Sequence, residues 1–184
     1  MRVARRIYQS IPNVLFIVVG SDRVAYGGDL EHTKGKTFRE HVLAQEDYDL
    51  SKFIFTGPVN PDQLARIFSL GDLHLYFTVP FVLSWSLFDA LACGCTVVAS
   101  GTPPVRELIT HERNDLLADF YDVDGLADLS RRVLRDPNIP ARPVTPLPNI
   151  RSPLTRPLGC ATKTFSRRRR LPQRPRKLGV AQAS

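Results

Sequence analysis

The chain has 184 residues, 43% of them hydrophobic, and a formal net charge of +7 at pH 7. This length suits one domain, alone or with an appendage, and is too short for a two-domain enzyme. No stretch approaches the roughly 20 apolar residues that cross a bilayer, and the N-terminal segment has no apolar signal core. These features predict a soluble protein that is not exported.

The chain contains three cysteines, Cys93, Cys95 and Cys160. They form neither an even disulfide framework nor a pair of zinc-type Cys-x-x-Cys motifs. This cysteine pattern fits a reducing compartment, so we expect a cytoplasmic protein. Cys93 and Cys95 flank a helix end that enters a buried strand, where thiols pack as small apolar groups, and we expect no metal there.

The positive charge is confined to the end of the chain. Residues 1–137 carry 14 basic and 18 acidic side chains, whereas residues 138–184 carry 11 basic and no acidic ones. The same 47 residues hold 8 of the 15 prolines and show no hydrophobic period. They cannot bury enough apolar surface to offset the entropy of ordering, so the sequence predicts a folded body over 1–137 and a disordered tail over 138–184.

The body alternates short apolar runs with segments of helical period, which is typical of repeated βα units. The predicted strands are residues 14–19, 53–56, 73–77, 96–99 and 116–118. The predicted helices are residues 2–10, 37–45, 61–70, 84–92, 105–110 and 124–135. Because apolar runs without polar alternation fit parallel strands covered on both faces, the predicted fold is a Rossmann-like, open doubly wound α/β sheet.

Several helix ends have recognisable signals. Asn60 is expected to cap a helix that begins at Pro61, because proline lacks only an N–H that has no helical partner there. Gly71 and Gly94 are expected to end helices in a left-handed conformation, which glycine adopts without a steric penalty.

Ligands of open parallel sheets bind at the carboxyl ends of the strands. Three segments follow predicted strands: 20–23, 57–60 and 78–84, the last leading into a helix that carries Asp89. Backbone N–H groups at a helix start bind phosphate oxygens, and a carboxylate further along can accept hydrogen bonds from sugar hydroxyls. The third segment with Asp89 therefore outlines a nucleotide-sugar site.

Simpler interpretations stay open for these residues. Ser84 fits a plain helix N-cap, and Asp89 fits a solvated acid on the exposed side of its helix. Trp85 and Phe88 fit packing residues better than stacking platforms, and Arg23 fits a surface charge. We expect no catalytic histidine, because no ligand spacing relates the four that the chain contains: His32, His41, His74 and His111.

Motifs of other α/β classes are absent from the sequence. There is no G-x-G-x-x-G after a strand, no G-x-x-x-x-G-K-[ST], no G-x-S-x-G around Ser84 or Ser86, and no H-E-x-x-H. Dehydrogenase, P-loop NTPase, α/β-hydrolase and zincin interpretations therefore have no sequence support.

Three segments stand in collinear order over residues 1–137: NVLFIVVG with DRVAYG, FTGPVNPDQLARIFSLGDLHLYFTVPFVLSWSLFDALACGCTVVAS, and GTPPVRELITHERNDLLADFYDVDGLADL. Through these three segments, the body resembles the C-terminal, donor-binding domain of the GT-B glycosyltransferases. The specific resemblance is to the retaining family four, glycosyl transferases group 1. The resemblance implies transfer of a hexose from a nucleotide-diphosphate sugar to an acceptor with retention of configuration. The donor is a substrate, and no cofactor or metal is implied.

The resemblance assigns donor-binding roles to eight positions: Gly20, Arg23, Val59, Phe81, Val82, Leu83, Ser84 and Asp89. Asp89 matches the acid that binds the donor ribose hydroxyls, and Val59 matches a position near the base. Basic side chains and a helix dipole would neutralise the diphosphate leaving group. No residue is assigned a catalytic role.

The chain also departs from the family pattern. The usual pair of glutamates, separated by seven residues, is here Phe81 and Asp89. The family's donor domain opens with an earlier strand and loop that supply Arg and Lys to the diphosphate, and an acceptor domain precedes it. Because neither is found in this sequence, we expect a truncated chain that is weak or inactive alone and whose sheet has an unpaired strand edge.

Three alternatives remain at this stage. The run 167–170, RRRR, would suit a non-catalytic module that binds nucleic acid or an anionic membrane, although Phe165 is the tail's one aromatic residue. A GT-B nucleotide-sugar epimerase would share the body's features. The abrupt change of composition after Pro137 favours a shift of reading frame over a genuine appendage.

Overall fold

The structure is a computed structural model, and it describes residues 1–23, 29–79, 82–136, 139 and 177–182. Among these residues no helix combines the length and apolar character needed to cross a membrane. The elements of the described residues, in chain order, are α1 Arg2–Ser10, β1 Val14–Val19, α2 Asp29–Thr33, α3 Phe38–Leu43, a 3₁₀ turn Leu50–Lys52, β2 Phe53–Gly57, α4 Pro61–Leu70, β3 Leu73–Tyr76, α5 Trp85–Ala92, β4 Val97–Ser100, α6 Pro103–Leu108, β5 Leu116–Ala118, α7 Val123–Arg135 and β6 Lys177–Gln182.

The strands form one parallel sheet in the order β2-β1-β6-β3-β4-β5. From β1 the chain moves outward to β2, then crosses to β3 and moves outward again through β4 and β5. This reversal is the topology of a doubly wound sheet. The predicted fold class is therefore confirmed.

Both faces of the sheet are covered, as the uninterrupted apolar strands predict. One hydrophobic cluster lies between the sheet and α1 with α7, and it includes Ile7, Phe16 and Leu126. A second cluster lies between the opposite face and α4, α5 and α6, and it includes Phe68 and Leu87. β3 and β4 contribute alternate residues to the two clusters, so all their residues are buried.

The predicted helices and strands agree with the structure to within two residues at each end, apart from the short elements. The helix Asp29–Thr33 is missing from the prediction, because its five residues are too few to show a helical period. The helix Pro103–Leu108 begins two residues earlier than predicted, since Pro103 and Pro104 fit the first helical turn, where no N–H is needed.

Of the two predicted glycine caps, one is confirmed and one is wrong. Gly94 has φ 70°, and the N–H of Cys95 donates to the Ala90 carbonyl at 3.0 Å, which closes a Schellman motif. Gly71 instead has φ −68° and ψ 141°. Its extended conformation follows from the sequence beyond it, because β3 begins two residues later and leaves no room for a reversal of the chain.

The prediction of a disordered tail is wrong for six residues. The segment Lys177–Gln182 forms β6, at the centre of the sheet between β1 and β3. The six residues follow an Arg- and Pro-rich run and have little strand propensity of their own, so no local pattern indicates a strand there. With β6 in place both sides of β1 and of β3 are paired, so the expected gap in the sheet is filled. The remaining tail residues, except 139, lie outside the described part of the chain.

The predicted cap at Asn60 is confirmed and offers a test. The Asn60 side chain accepts a hydrogen bond from the Gln63 N–H at 2.9 Å, and the Gln63 side chain accepts one from the Asn60 N–H at 3.1 Å. We expect Asn60→Ala to lower the free energy of unfolding by about 0.5–2 kcal/mol in urea denaturation. Asn13→Ala, in an exposed turn, is the matched control and should change it little. Equal effects of the two substitutions would contradict the capping role.

Candidate functional site

The crevice of a doubly wound sheet lies where the strand order reverses, outside the carboxyl ends of the strands. In this sheet the reversal occurs at the slot between β1 and β3, which β6 fills. The loops that follow β1 and β3 therefore lie on either side of the crevice. Two of the three segments that the sequence predicted, residues 20–23 and 78–84, are those loops, and the third follows β2, one strand further out.

The loop after β1 begins with a constrained glycine. Gly20 has φ 137°, a conformation that favours glycine, and its N–H donates to the Gly57 carbonyl at 3.1 Å. Asp22 forms an ion pair with Arg39 at 3.0 Å, which ties the loop to α3. Arg23 is exposed, and none of the ion pairs among the described residues involves it. Arg23 thus lies exposed on a loop that borders the crevice.

The loop after β3 is held to the sheet by Tyr76. The backbone N–H of Ser84 donates to the Tyr76 hydroxyl at 3.0 Å, although the two residues are eight positions apart. Tyr76 is buried at the end of β3. This bond fixes the start of α5 over the carboxyl end of β3, and the sequence analysis did not single out Tyr76.

Ser84 has the position of a helix N-cap but makes no capping bond with its side chain. Its hydroxyl instead lies 2.7 Å from the Ser86 hydroxyl. The plain N-cap interpretation is therefore wrong for the side chain, and both hydroxyls belong to the first turn of α5. That turn contains no acidic residue, so its partial positive charge is not offset locally.

A pair of hydrogen bonds also holds the loop after β3 to β4. The Ser100 hydroxyl donates to the Thr78 carbonyl and accepts from the Thr78 N–H, both at 3.0 Å. Ser100 is fully buried. Its position at the end of a buried strand and before Gly101 is the one sequence signal that could have identified it.

Asp89 lies on α5, in the turn after Ser84 and Ser86, and its residue surface is only 7% exposed. The alternative that Asp89 is a solvated acid on the exposed side of the helix is therefore wrong. A buried carboxylate is rare in proteins without a specific role or partner. Asp89 thus stays a candidate for recognition of hydroxyl groups.

The four other predicted site residues differ in their surroundings. Val82 is 70% exposed and available to a ligand, whereas Leu83 packs against the second hydrophobic cluster. Val59 is half-buried in the loop between β2 and α4. Phe81 lies outside the described residues.

The aromatic pair that follows Ser84 also differs from expectation. Trp85 is 65% exposed, and its ring lies 5.8 Å from that of Phe88. Trp85 is therefore not a core packing residue, and its indole faces solvent at the start of α5.

No cluster of three or more potential metal ligands occurs among the described residues. Cys93 and Cys95 lie at the end of α5, and the Cys95 thiol donates to the Phe68 carbonyl at 3.2 Å. Both pack against the second hydrophobic cluster, as the sequence predicted. His74 is buried within β3.

A separate cleft lies along α1, and it is a weaker candidate for an anion. Arg2 and Arg5 both bond Glu46, at 3.1 and 2.9 Å, and Arg6 pairs with Asp124 at 3.0 Å. The hydrogen bond from Arg5 holds the pKa of Glu46 below its usual value. Since all three arginines are already engaged in ion pairs, the loops around β6 are the better site.

The fold and its crevice define a doubly wound α/β domain, and comparison with known proteins identifies the family. The family described as "Glycosyl transferases group 1" matches residues 1–145. The chain therefore belongs to the glycosyl transferases group 1 family, and the resemblance seen in the sequence is confirmed.

Two relatives illustrate the range of similarity. N-acetyl-alpha-D-glucosaminyl L-malate synthase from Bacillus anthracis is 26% identical over 85 residues, 46% of this chain and 22% of that protein. Sucrose-phosphate synthase from Thermosynechococcus elongatus superposes with a TM-score of 0.56 at 23% identity, over 74% of this chain and 33% of the other. The superposition on sucrose-phosphate synthase confirms the fold. The chain thus spans about a fifth of the curated relative and a third of the solved structure.

Proposed function

We propose that the chain is part of a retaining glycosyltransferase and that the crevice between the β1 and β3 loops binds the nucleotide-diphosphate sugar donor. The observation that carries the proposal is the position of these loops at the switch point, in a chain of the glycosyl transferases group 1 family. A hexose would pass from the donor to an acceptor with retention of configuration. The donor is a substrate, and the proposal includes no cofactor.

The diphosphate would lie against the first turn of α5. N–H groups of a first helical turn have no intrahelical partner, and the helix dipole adds about half a positive charge at that end. The turn carries no acidic residue, and the hydroxyls of Ser84 and Ser86 lie beside it. Arg23 would approach the diphosphate from the opposite loop. Together these groups stabilise the negative charge that develops on the leaving diphosphate.

The nucleoside would extend from the same helix start. Asp89 lies one turn further along α5, where its carboxylate could accept hydrogen bonds from the two ribose hydroxyls. Val59, in the loop after β2, would contact the base. Phe81 and Val82 would border the sugar, as the family resemblance implies.

We expect this chain alone to turn over donor slowly or not at all. It spans 33% of the solved relative, and we propose that a complete glycosyltransferase site needs residues besides those of this chain. Positioning of the reactants contributes on the order of 7–11 kcal/mol to the barrier in model systems, and exclusion of water adds to it. The chain alone retains neither contribution in full.

Isothermal titration calorimetry of the full chain with UDP, GDP and ADP tests the donor site. One of the three should bind with a Kd on the order of 10 µM to 1 mM, and the other two more weakly. Pyrophosphate is the control, because the basic tail attracts any polyphosphate in a salt-dependent way. Binding of pyrophosphate as tightly as of every nucleotide, abolished by 0.5 M salt, would assign the affinity to the tail and contradict the proposal.

A further inference from the structure

The central strand of the sheet is supplied by a segment remote from the other strands. β6 pairs in parallel with all six residues of β1, from Val14 to Val19, and with Leu73–Leu75 of β3. In the sheet, β1 and β3 are joined only through β6. The slot between them is therefore lined on both sides by backbone groups that require a strand as partner.

The connection to β6 differs from the other connections of the domain. The five strands of the body follow one another through helices, but α7 ends at Arg135 and β6 begins at Lys177. Connections in compact domains usually have about 4–6 residues, whereas 41 residues separate Arg135 from Lys177. β6 is thus remote in sequence from the rest of the body, and its backbone pairs with both β1 and β3.

The order of the strands also distinguishes β6 from the other strands of the sheet. In the doubly wound order 3-2-1-4-5-6, the strand at this position is the first of the chain, and the others are added outward from it. Here the same position is taken by the last strand of the described residues. Among the described residues, the strand that fills the slot therefore comes after all the other strands in the chain.

The slot also discriminates between side chains. Gly179 is buried, and a Cβ built on it would lie 3.2 Å from Cδ1 and 3.4 Å from Cε1 of Phe16. A side chain at this position would approach the Phe16 ring more closely than packed atoms normally do, so the slot favours a glycine as the third residue of the bound strand. Backbone pairing provides affinity and this contact provides selectivity, which is the general mode of recognition by strand addition.

We propose that the slot between β1 and β3 is a peptide-binding site that holds this chain's own Lys177–Gln182 and accepts a free peptide of the same sequence in its place. This inference does not depend on whether a nucleotide binds in the crevice beyond the carboxyl ends of the strands. Its ligand is an extended segment with a small residue at the third position.

The test uses the full chain with Gly179→Val and a fluorescent peptide of residues 175–184. We expect the valine to weaken the pairing of the variant's own segment, which makes the slot more accessible to the peptide. We expect fluorescence anisotropy to show at least tenfold tighter binding of the wild-type peptide than of a Gly179→Val peptide, which has the same charge. The wild-type chain should bind the wild-type peptide more weakly than the variant chain does, because its tethered segment competes at a high effective concentration. Equal binding of the two peptides would overturn the proposal.

A second experiment covers the case in which the variant does not fold. A protease site is inserted between Ile150 and Arg151 of the otherwise wild-type chain, and the protein is cleaved after folding. We expect the two fragments to elute together from a gel-filtration column and to separate when an excess of the wild-type peptide, but not of the Gly179→Val peptide, is added. Separation of the fragments on cleavage alone would overturn the proposal.

Discussion

Replacement of Phe16 by alanine is expected to lower the free energy of unfolding by about 3–5 kcal/mol, the range measured for large aromatic truncations in cores. Phe16 is 1% exposed and lies in β1, between β2 and β6. Its ring stacks on Phe53 with centroids 5.2 Å apart and also covers Gly179. The substitution therefore leaves a cavity at the centre of the sheet, where neighbouring strands cannot collapse without losing their pairing.

Phe38→Ala removes the same atoms from a different environment and serves as the control. Phe38 begins α3 and is 42% exposed, so we expect a loss of at most about 1 kcal/mol. Urea denaturation of both variants and the wild-type chain, followed by circular dichroism, measures the difference. If the two substitutions lower the free energy of unfolding by the same amount, Phe16 does not have the central packing role assigned to it.

Asp89→Asn is expected to weaken nucleotide binding by roughly 10- to 100-fold, which corresponds to the loss of hydrogen bonds to a charged acceptor. Asparagine keeps the size of the side chain but has one accepting oxygen and no charge, so it cannot accept well from both ribose hydroxyls. The burial of Asp89 on α5 makes this effect larger than it would be for an exposed acid. Calorimetric titration with the preferred nucleoside diphosphate measures it.

The control for this prediction is Asp128→Asn, which makes the same chemical change on α7, where the Asp128 side chain is 68% exposed. Its affinity for the nucleotide should equal that of the wild-type chain. The thermal midpoint of each variant without ligand shows whether the protein is folded at the titration temperature. A folded Asp89→Asn protein with wild-type affinity would exclude Asp89 from donor recognition.

The sequence predicts most of the fold because most elements carry more than one signal. The helix Pro61–Leu70 combines an asparagine cap, a proline at its first position and an apolar face, and its bounds agree with the structure. The strand Val14–Val19 is an uninterrupted run of apolar residues, mostly β-branched, and its bounds agree as well. The prediction of two covered faces follows from such runs and is confirmed.

β6 could not be predicted from local pattern. Lys177–Gln182 contains only two branched apolar residues, Leu178 and Val180, and a glycine that normally weakens a strand. Its strand conformation comes from the unpaired backbone of β1 and β3, a feature of the folded body. Tertiary pairing here overrides composition.

The position of the candidate site could be predicted from the sequence, but the hydrogen bonds that hold its loops in place could not. The rule that ligands bind beyond strand ends is sufficient to select the loops that contain Gly20 and Ser84. The bonds from Ser84 to Tyr76 and from Ser100 to Thr78 join residues 8 and 22 positions apart, and only the fold brings them together. The burial of Asp89 similarly depends on how α5 packs on the sheet, which no local pattern specifies.

The central claim is that the crevice between the β1 and β3 loops binds the nucleotide of a sugar donor, and an NMR titration of the ¹⁵N-labelled full chain tests it most directly. Addition of the preferred nucleoside diphosphate should shift the amide signals of residues 20–23 and 82–86 and leave those of Arg2, Arg5 and Arg6 in place. Saturable shifts confined to the α1 cleft, or no saturable shift at either loop, would contradict the claim.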